Sequence, residues 1–327
     1  MTRSSLSLPS ARTGRRQSGA ALLMAMIILT LVATLAASMV WQQWRAVQVE
    51  GAERARTQAA WILAGALDWA RLILKEDARS SGGQRVDHLG EPWAVPLAEA
   101  RLSTFLAADK DSTDDGPDAF LSGSITDAQS HYNLTNLIAA GKVDAEQLAA
   151  LVRLCEAASA SAEAGARIAG GLLAAHAAAG AAGTDPGAPL LPRTVPQLAW
   201  LGVDPDTLRL LAPYVVLLPR GTPVNVNTAP REVLVAAIKG LDLASAERLV
   251  QLRQRTPFRT LQDVEREVPT LAPLDANRVS VSSSFFEVRG RLRLADRVLE
   301  QRSLVERRGN DVVVLQRERL PGRDPAS

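Results

Sequence analysis

Residues Arg15–Trp41 read RRQSGAALLMAMIILTLVATLAASMVW. From Ala20 to Val40 there is no charge, no proline and no glycine. As a helix, those residues span about 31 Å, the thickness of a bilayer's hydrocarbon core. The run is too long for the apolar region of a secretory signal, which is shorter and ends in a small-residue cleavage site. Trp41 and Trp44 stand where an interfacial aromatic belt lies. Arg12, Arg15 and Arg16 precede the span, which predicts a cytoplasmic N-terminus and a body on the far side of the membrane.

The helical pattern continues past the span. No proline occurs between Pro9 and Pro92. Beyond Val49, Ala52, Ala55, Ala59, Ile62, Leu63, Ala66, Trp69, Ala70 and Ile73 recur at steps of three and four. Glu53, Arg54, Arg56, Gln58 and Asp68 fill the polar side. The spacing predicts one helix over 20–78, roughly 88 Å long, with its first half in lipid and its second packed on a soluble domain.

Composition narrows the function classes. The formal net charge is +2, yet residues 1–19 carry four arginines (Arg3, Arg12, Arg15, Arg16) and no acid. Without them, 33 basic residues face 35 acidic ones. The basic bias belongs to the N-terminal segment, so the body carries no electrostatic footprint for nucleic acid. Cys155 is the sole cysteine, which excludes an intrachain disulfide, and nothing pairs it with a nearby histidine. His88, His131 and His176 are scattered, with no metal-ligand spacing and no triad signature. No enzyme activity is expected.

A short basic leader ending in glycine (Arg15-Arg16-Gln17-Ser18-Gly19), followed at once by an apolar helix that turns amphipathic, resembles a type IV prepilin or a type II secretion pseudopilin. The resemblance implies cleavage between Gly19 and Ala20 by a prepilin peptidase, methylation of Ala20, and retention of the helix as anchor and filament core. Most of that family carries Glu at the fifth mature position, where this chain has Met24. A buried carboxylate is costly unless paired. In the family the Glu is thought to pair with the N-terminal amine of a neighbouring subunit. A subunit that never docks beneath another has no amine to neutralise. The family member known to lack the Glu is the large minor pseudopilin K, placed at the filament tip.

Residues 79–120 are polar and turn-rich, and the GEPWAVPL stretch resembles a segment following the long helix in pseudopilin K proteins. Asp109, Asp111, Asp114, Asp115 and Asp118 then fall within ten residues. Calcium takes several hard oxygen ligands, and the secretion tip subunit is associated with calcium, so the resemblance raises calcium as a cofactor. The loop fails as an EF-hand: counted from Asp109, Asp114 stands where Gly is needed and Phe120 where Glu is needed. A solvated acidic loop is the alternative.

FLSGSITDAQSHYNLTNL (Phe120–Leu137) begins as a strand and opens a helix at Asn133. It resembles the family segment in which Asp and Gln precede Asn-Leu-Asn-Asn-Leu. Asp127, Gln129, Asn133, Leu134, Asn136 and Leu137 match, and Ser130 replaces the usual glycine. The polar members are read as satisfying backbone groups at a strand-to-helix turn. Residues 142–176 are Ala-rich with helical spacing, 177–193 read as a loop, and helices follow near Leu198–Leu201 and Asp206–Ala212.

Pro223–Val264, with Thr228 read as an N-cap and Gly240 as the end of the first helix, resembles a helix-hairpin-helix domain of the kind that opens with Val-Asn-Val-Asn-Thr-Ala (here with Asn225 and Asn227). Such domains bind DNA in membrane-anchored uptake receptors, through a Gly-x-Gly hairpin presenting amides to phosphate. Here the hairpin is Lys239-Gly240-Leu241-Asp242-Leu243: the second glycine is absent and a carboxylate intrudes. Pseudopilin K proteins carry a similar insert for protein packing, so no nucleic acid is expected.

After Pro269 the texture becomes strand-like over Val279–Val288, continues through Leu292, Leu294 and Val298, and forms a hairpin of Arg302–Arg307 and Val312–Arg317 around Arg308–Asp311. The expected fold class is α+β: a long N-terminal helix on an antiparallel sheet, interrupted by an all-α insert. The expected organisation is a leader over 1–19, the long helix over 20–78, the first part of the α/β domain over 79–132, the insert over 133–274 and closing strands over 275–327. The resemblance covers Arg15 to about Arg319. It implies a single-pass inner-membrane protein with a periplasmic head, which initiates and caps the pseudopilus. Its implied partners are other minor pseudopilins, the major pseudopilin and the prepilin peptidase. A membrane-anchored DNA receptor and a type IV pilus tip subunit are the competing readings.

Overall fold

A single helix, α1 (Ser18–Ser80), runs 63 residues without a break in the computed structural model of the chain. The structure describes residues 18–80, 85–102, 119–180, 187, 189–271, 273–294 and 297–321. Two units divide the chain, Met1–Gln58 and Ala59–Ser327.

In the first unit every residue from Ala20 to Gly51 is exposed. An apolar surface of this length has no stable place in water, and this stretch is long and apolar enough to cross a membrane. The three hydroxyl side chains between Ala20 and Val40 are satisfied within the helix. The hydroxyls of Thr30, Thr34 and Ser38 donate to the carbonyls of Ile27, Leu31 and Leu35 at 2.8–2.9 Å, as a hydrocarbon surrounding requires. Trp41 follows the apolar stretch, with the Arg45 guanidinium 5.6 Å from its ring centroid.

In the second unit α1 buries Ala59, Leu63, Leu67, Ala70 and Leu74. This stripe is narrower and slightly rotated from the one read in the sequence. Leu67 and Leu74 are core, whereas Trp69 is 64% exposed and joins Trp61 (76%) and Leu72 on the opposite face. Helical periodicity locates a face only to within a residue or so. The sheet's own shape chose Leu67 over Trp69.

After α1 a one-turn helix at Pro92–Ala94 leads into strand β1 (Leu97–Arg101), an edge strand absent from the sequence reading because its residues are nearly all exposed. Strand β2 (Ala119–Asp127) follows. The insert begins with short strands β3 (Tyr132–Asn133), β4 (Ile138–Ala139) and β5 (Lys142–Val143). Helices α2 (Ala145–Ala157) and α3 (Ala162–Gly180) come next. Then follow α4 (Pro205–Leu211), β6 (Val215–Val216), β7 (Val224–Asn225), α5 (Arg231–Ala237), α6 (Leu243–Arg255) and α7 (Leu261–Glu267). The chain returns through β8 (Val279–Ser280) to the long strands β9 (Phe285–Leu294), β10 (Arg297–Arg308) and β11 (Asp311–Pro321).

The main sheet has the order β1-β2-β9-β10-β11, every pair antiparallel. Strand β2 therefore pairs with a strand more than 150 residues later, and everything between is insert. The inner face carries Ile125, Phe286, Val288, Val305 and Val312, which meet Leu67, Ala70 and Leu74 of α1. Two glycines face each other in this ladder, Gly123 and Gly290. A Cβ at Gly290 would lie 3.1 Å from Leu63 Cδ2, and one at Gly123 would lie 2.7 Å from the Arg289 carbonyl oxygen. The helix crosses the sheet where side chains are missing.

The insert holds a separate core built from Leu134, Leu137, Leu151, Leu154, Ile168, Leu172, Val233, Leu234 and Leu249, among others. It is not purely helical: three two-stranded ladders, β3–β6, β4–β5 and β7–β8, tie it together. Strands of two residues carry no detectable alternation, which is why the sequence reading found helices alone. That reading also merged α2 with α3. Ser159 adopts φ +59 between them, and α3 runs on to Gly180 through residues read as loop.

Candidate functional site

The leader, residues 1–17, lies outside the described residues. Gly19 and Ala20 lie in the first turn of α1. Met24 is 66% exposed on the apolar helix, where a thioether side chain suits lipid and a lone carboxylate would not. Asp109, Asp111, Asp114, Asp115 and Asp118, read as candidate calcium ligands, also lie outside the described residues.

The polar motif residues are inside, and they converge on the joint where the chain leaves the sheet for the insert and returns. Asn133 Oδ1 accepts from the backbone N–H groups of Thr135 and Leu218, both at 3.1 Å, while its Nδ2 donates to the Arg220 carbonyl at 2.7 Å. Asn136 exchanges a pair of bonds with the backbone of Thr222, both at 2.9 Å. Together they stitch the 217–222 segment to the start of the insert. Asn227 does the same for the turn after α6, exchanging two 2.9 Å bonds with the backbone of Phe258.

Asp127 and Asn225 sit at the centre. Asp127, at the end of β2, is fully enclosed and accepts from the Asn225 amide (2.9 Å), the Thr228 hydroxyl (2.6 Å), the Ser283 hydroxyl (2.6 Å) and the Gln129 N–H (2.8 Å). Burial pushes its carboxyl up to about 6, against the pull of those donors. Asn225 Nδ2 also donates to the Asp87 carbonyl at 3.0 Å. Thr228 is thus bound to Asp127 and does not cap α5. The cap position is Pro230, with no side-chain bond.

The network continues through residues that the sequence reading did not select. Asp87 Oδ2 accepts from the Ser283 N–H at 2.7 Å. Arg307, on β10 and fully buried, donates to Asp87 Oδ1, to Asp77 Oδ2 at 2.7 Å and to the Ser283 carbonyl at 2.8 Å. Burial pushes the Asp87 carboxyl up, and the Arg307 charge beside it pulls back. Glu91 lies close by: carboxylate oxygens of Asp77, Asp87 and Glu91 come within 4.8 Å of one another. A second strap joins insert to sheet at Glu306, which accepts from Arg220 at 2.8 Å and from Arg308 at 2.6 Å. The only sequence signal for these residues is an arginine in an otherwise inward register position, two places from Val305. Nothing pairs it with acids about 220 positions away.

This is scaffolding chemistry. The polar side chains are spent on backbone groups and on one another. Cys155 is buried in the insert core, and burial pushes its thiol up to about 11, which makes it inert. At the hairpin, Gly240 takes φ +85 and Asp242 caps α6, accepting from the Ser245 N–H at 2.9 Å. The helix start that would meet a phosphate already holds a carboxylate, which repels one.

Comparison with known proteins follows the same lines. Residues 224–282 match the family model "Type II secretion system (T2SS), protein K". The chain is 28% identical over 303 residues to a type II secretion system protein K of Pseudomonas aeruginosa, covering 86% of each chain. It is 28% identical over 334 residues to the protein of that name from Pectobacterium carotovorum, covering 93% of this chain and 96% of the relative. A solved chain in the GspK–GspI–GspJ complex of the enterotoxigenic Escherichia coli type 2 secretion system superposes with a TM-score of 0.61 at 20% identity, over 83% of this chain and 99% of that one. The long helix and the interrupted sheet are shared with that solved chain, and the family model and the relatives agree with it: this chain is similar to type II secretion system protein K over most of its length.

Proposed function

We propose that the chain is a minor pseudopilin that initiates and caps the pseudopilus of a type II secretion system, contributing to protein export across the outer membrane without catalysis of its own. On this reading it is a single-pass inner-membrane protein with its N-terminus in the cytoplasm and its head in the periplasm. Prepilin peptidase cuts between Gly19 and Ala20, and Ala20 is methylated. The observation that carries the reading is α1. One uninterrupted helix is wholly exposed from Ala20 to Gly51 and then buries one face on a sheet, so one element serves both an apolar environment and a folded head. Trp61, Trp69 and Leu72, exposed on the face of α1 away from the sheet, supply apolar area for neighbouring helices. The expected neighbours are other minor pseudopilins, as in the complex of the Escherichia coli relative, and the major pseudopilin. Met24 fits the tip position, because a capping subunit has no neighbouring amine to neutralise.

The test is the intact mass of the full chain co-expressed with a prepilin peptidase. Loss of residues 1–19 with gain of one methyl group, abolished in a Gly19 substitution, supports the reading. An uncut chain, under conditions in which a known prepilin is processed, removes it.

A further inference from the structure

The assembly reading makes no use of the segment between α1 and β1, yet that segment carries an unusual charge arrangement. Glu91 Oε2 accepts from the indole N–H of Trp93 at 2.8 Å and from the His88 N–H at 2.8 Å. Trp93 is 1% exposed and meets the Phe286 ring edge-on, with centroids 5.2 Å apart. Glu91 thus fixes the one large side chain that pins the segment to the sheet.

The groups facing Glu91 are unbalanced. From α1 comes Asp77; from its own segment, Asp87 and His88; from β10, Arg307. The insert contributes neutral partners to this neighbourhood, Asn225 and Thr228, and the β9 side contributes Ser283 and Phe286. Asp127 reaches the cluster through Ser283. Arg85, at the segment's start, is turned away to the Gly309 carbonyl. When all are ionised, Glu91 stands within 4.8 Å of the Asp77 and Asp87 carboxylates, while the Arg307 guanidinium is bonded to those two and not, among the described contacts, to Glu91.

We propose that Glu91 is a proton-operated latch: protonated, it holds Trp93 and the 85–95 segment against the sheet, and ionised, it is expelled from the carboxylate cluster and lets the segment open. The neutral carboxyl keeps its acceptor oxygen for Trp93 and His88 and turns its proton to a neighbouring carboxylate. The ionised group gains more from water than from two neutral donors beside two like charges. Burial first, and then Asp77 and Asp87, push the Glu91 carboxyl up to about 7, so the change falls at neutral pH. A carboxyl raised from about 4.5 to about 7 stabilises the closed form fully below the lower value and loses that contribution as pH rises through the upper one. Opening frees the connection to β1, the exposed edge of the sheet, when the surroundings turn alkaline. The proposal is independent of the chain's place in a filament.

The test is hydrogen exchange by mass spectrometry on the full chain in detergent, at pH 6 and pH 8, corrected for intrinsic exchange rates. Peptides covering 86–95 should lose about tenfold in protection between the two, while peptides from the insert core at 229–238 should not change. In Glu91→Gln the loss at 86–95 should vanish. Equal protection of wild-type 86–95 at both pH values overturns the proposal, as does an undiminished loss in Glu91→Gln. Should Glu91→Gln not fold, Asp77→Asn serves: with one like charge fewer, the midpoint of opening should move to lower pH, and an unmoved midpoint overturns the proposal.

Discussion

Replacing Arg307 by Met should be the most damaging single change in the sheet domain. The side chain is fully buried and supplies the positive charge that meets both Asp77 and Asp87. Methionine keeps most of the apolar stem and removes the guanidinium. The loss has three parts: an uncompensated buried carboxylate at Asp87, a weakened one at Asp77, and the cation–π contact with Phe286 at 4.9 Å. Breaking a buried pair by deleting one partner costs about 3–5 kcal/mol. For a domain of this size that lowers Tm by roughly 6–20 °C. The assay is thermal unfolding of the full chain in detergent, followed by near-UV circular dichroism. The second half of the cycle is Asp87→Asn on the Arg307→Met background. With the buried charge gone and the amide oxygen still able to accept from the Ser283 N–H, the double variant should recover about 1–3 kcal/mol. A single variant losing less than about 1 kcal/mol, or a double variant falling by the sum of its parts, would refute the view that this charge pair closes the joint.

Asp127 should make the protein more stable in mild acid than at neutrality. Its carboxyl is raised from 3.8 to about 6, so it contributes below about 4 and the contribution, about 3 kcal/mol for a fully enclosed group, is lost by pH 6 to 7. Urea midpoints of wild type and Asp127→Asn between pH 4 and 7 should differ in slope, with the variant flatter. Gly290→Val should cost about 1–3 kcal/mol by pushing Leu63 off the sheet, read as a lower urea midpoint with an unchanged slope. Partial rescue by Leu63→Ala would localise the clash. Calcium chelation should lower the Tm of the head if Asp109, Asp111, Asp114, Asp115 and Asp118 hold an ion; an unchanged Tm in excess chelator removes that assignment.

The apolar run from Ala20 to Val40 and its amphipathic continuation are local properties, carried by composition and by a repeat of three to four residues. Hence α1, the exposure of its first half and the α+β class are legible without coordinates. So is the hairpin after Arg308, where β10 pairs with β11, because a turn is written within a few residues. Which side of α1 meets the sheet was only half legible. Trp69 and Leu67 are both apolar and two positions apart, and only the packing against Phe286, Val288 and Val305 of the sheet shows which of them is buried. Strand β1 was invisible because an edge strand with both faces wet has no alternation to read. The asparagine motifs announced polar residues with structural work, but Asn133 meets Leu218 and Arg220, and Asn225 meets Asp87 and Asp127, across gaps that no periodicity spans. The Asp77–Asp87–Glu91–Arg307 group belongs wholly to the tertiary structure. Its members come from α1, the segment after it and β10. Their charges matter only because folding removes the water that screened them.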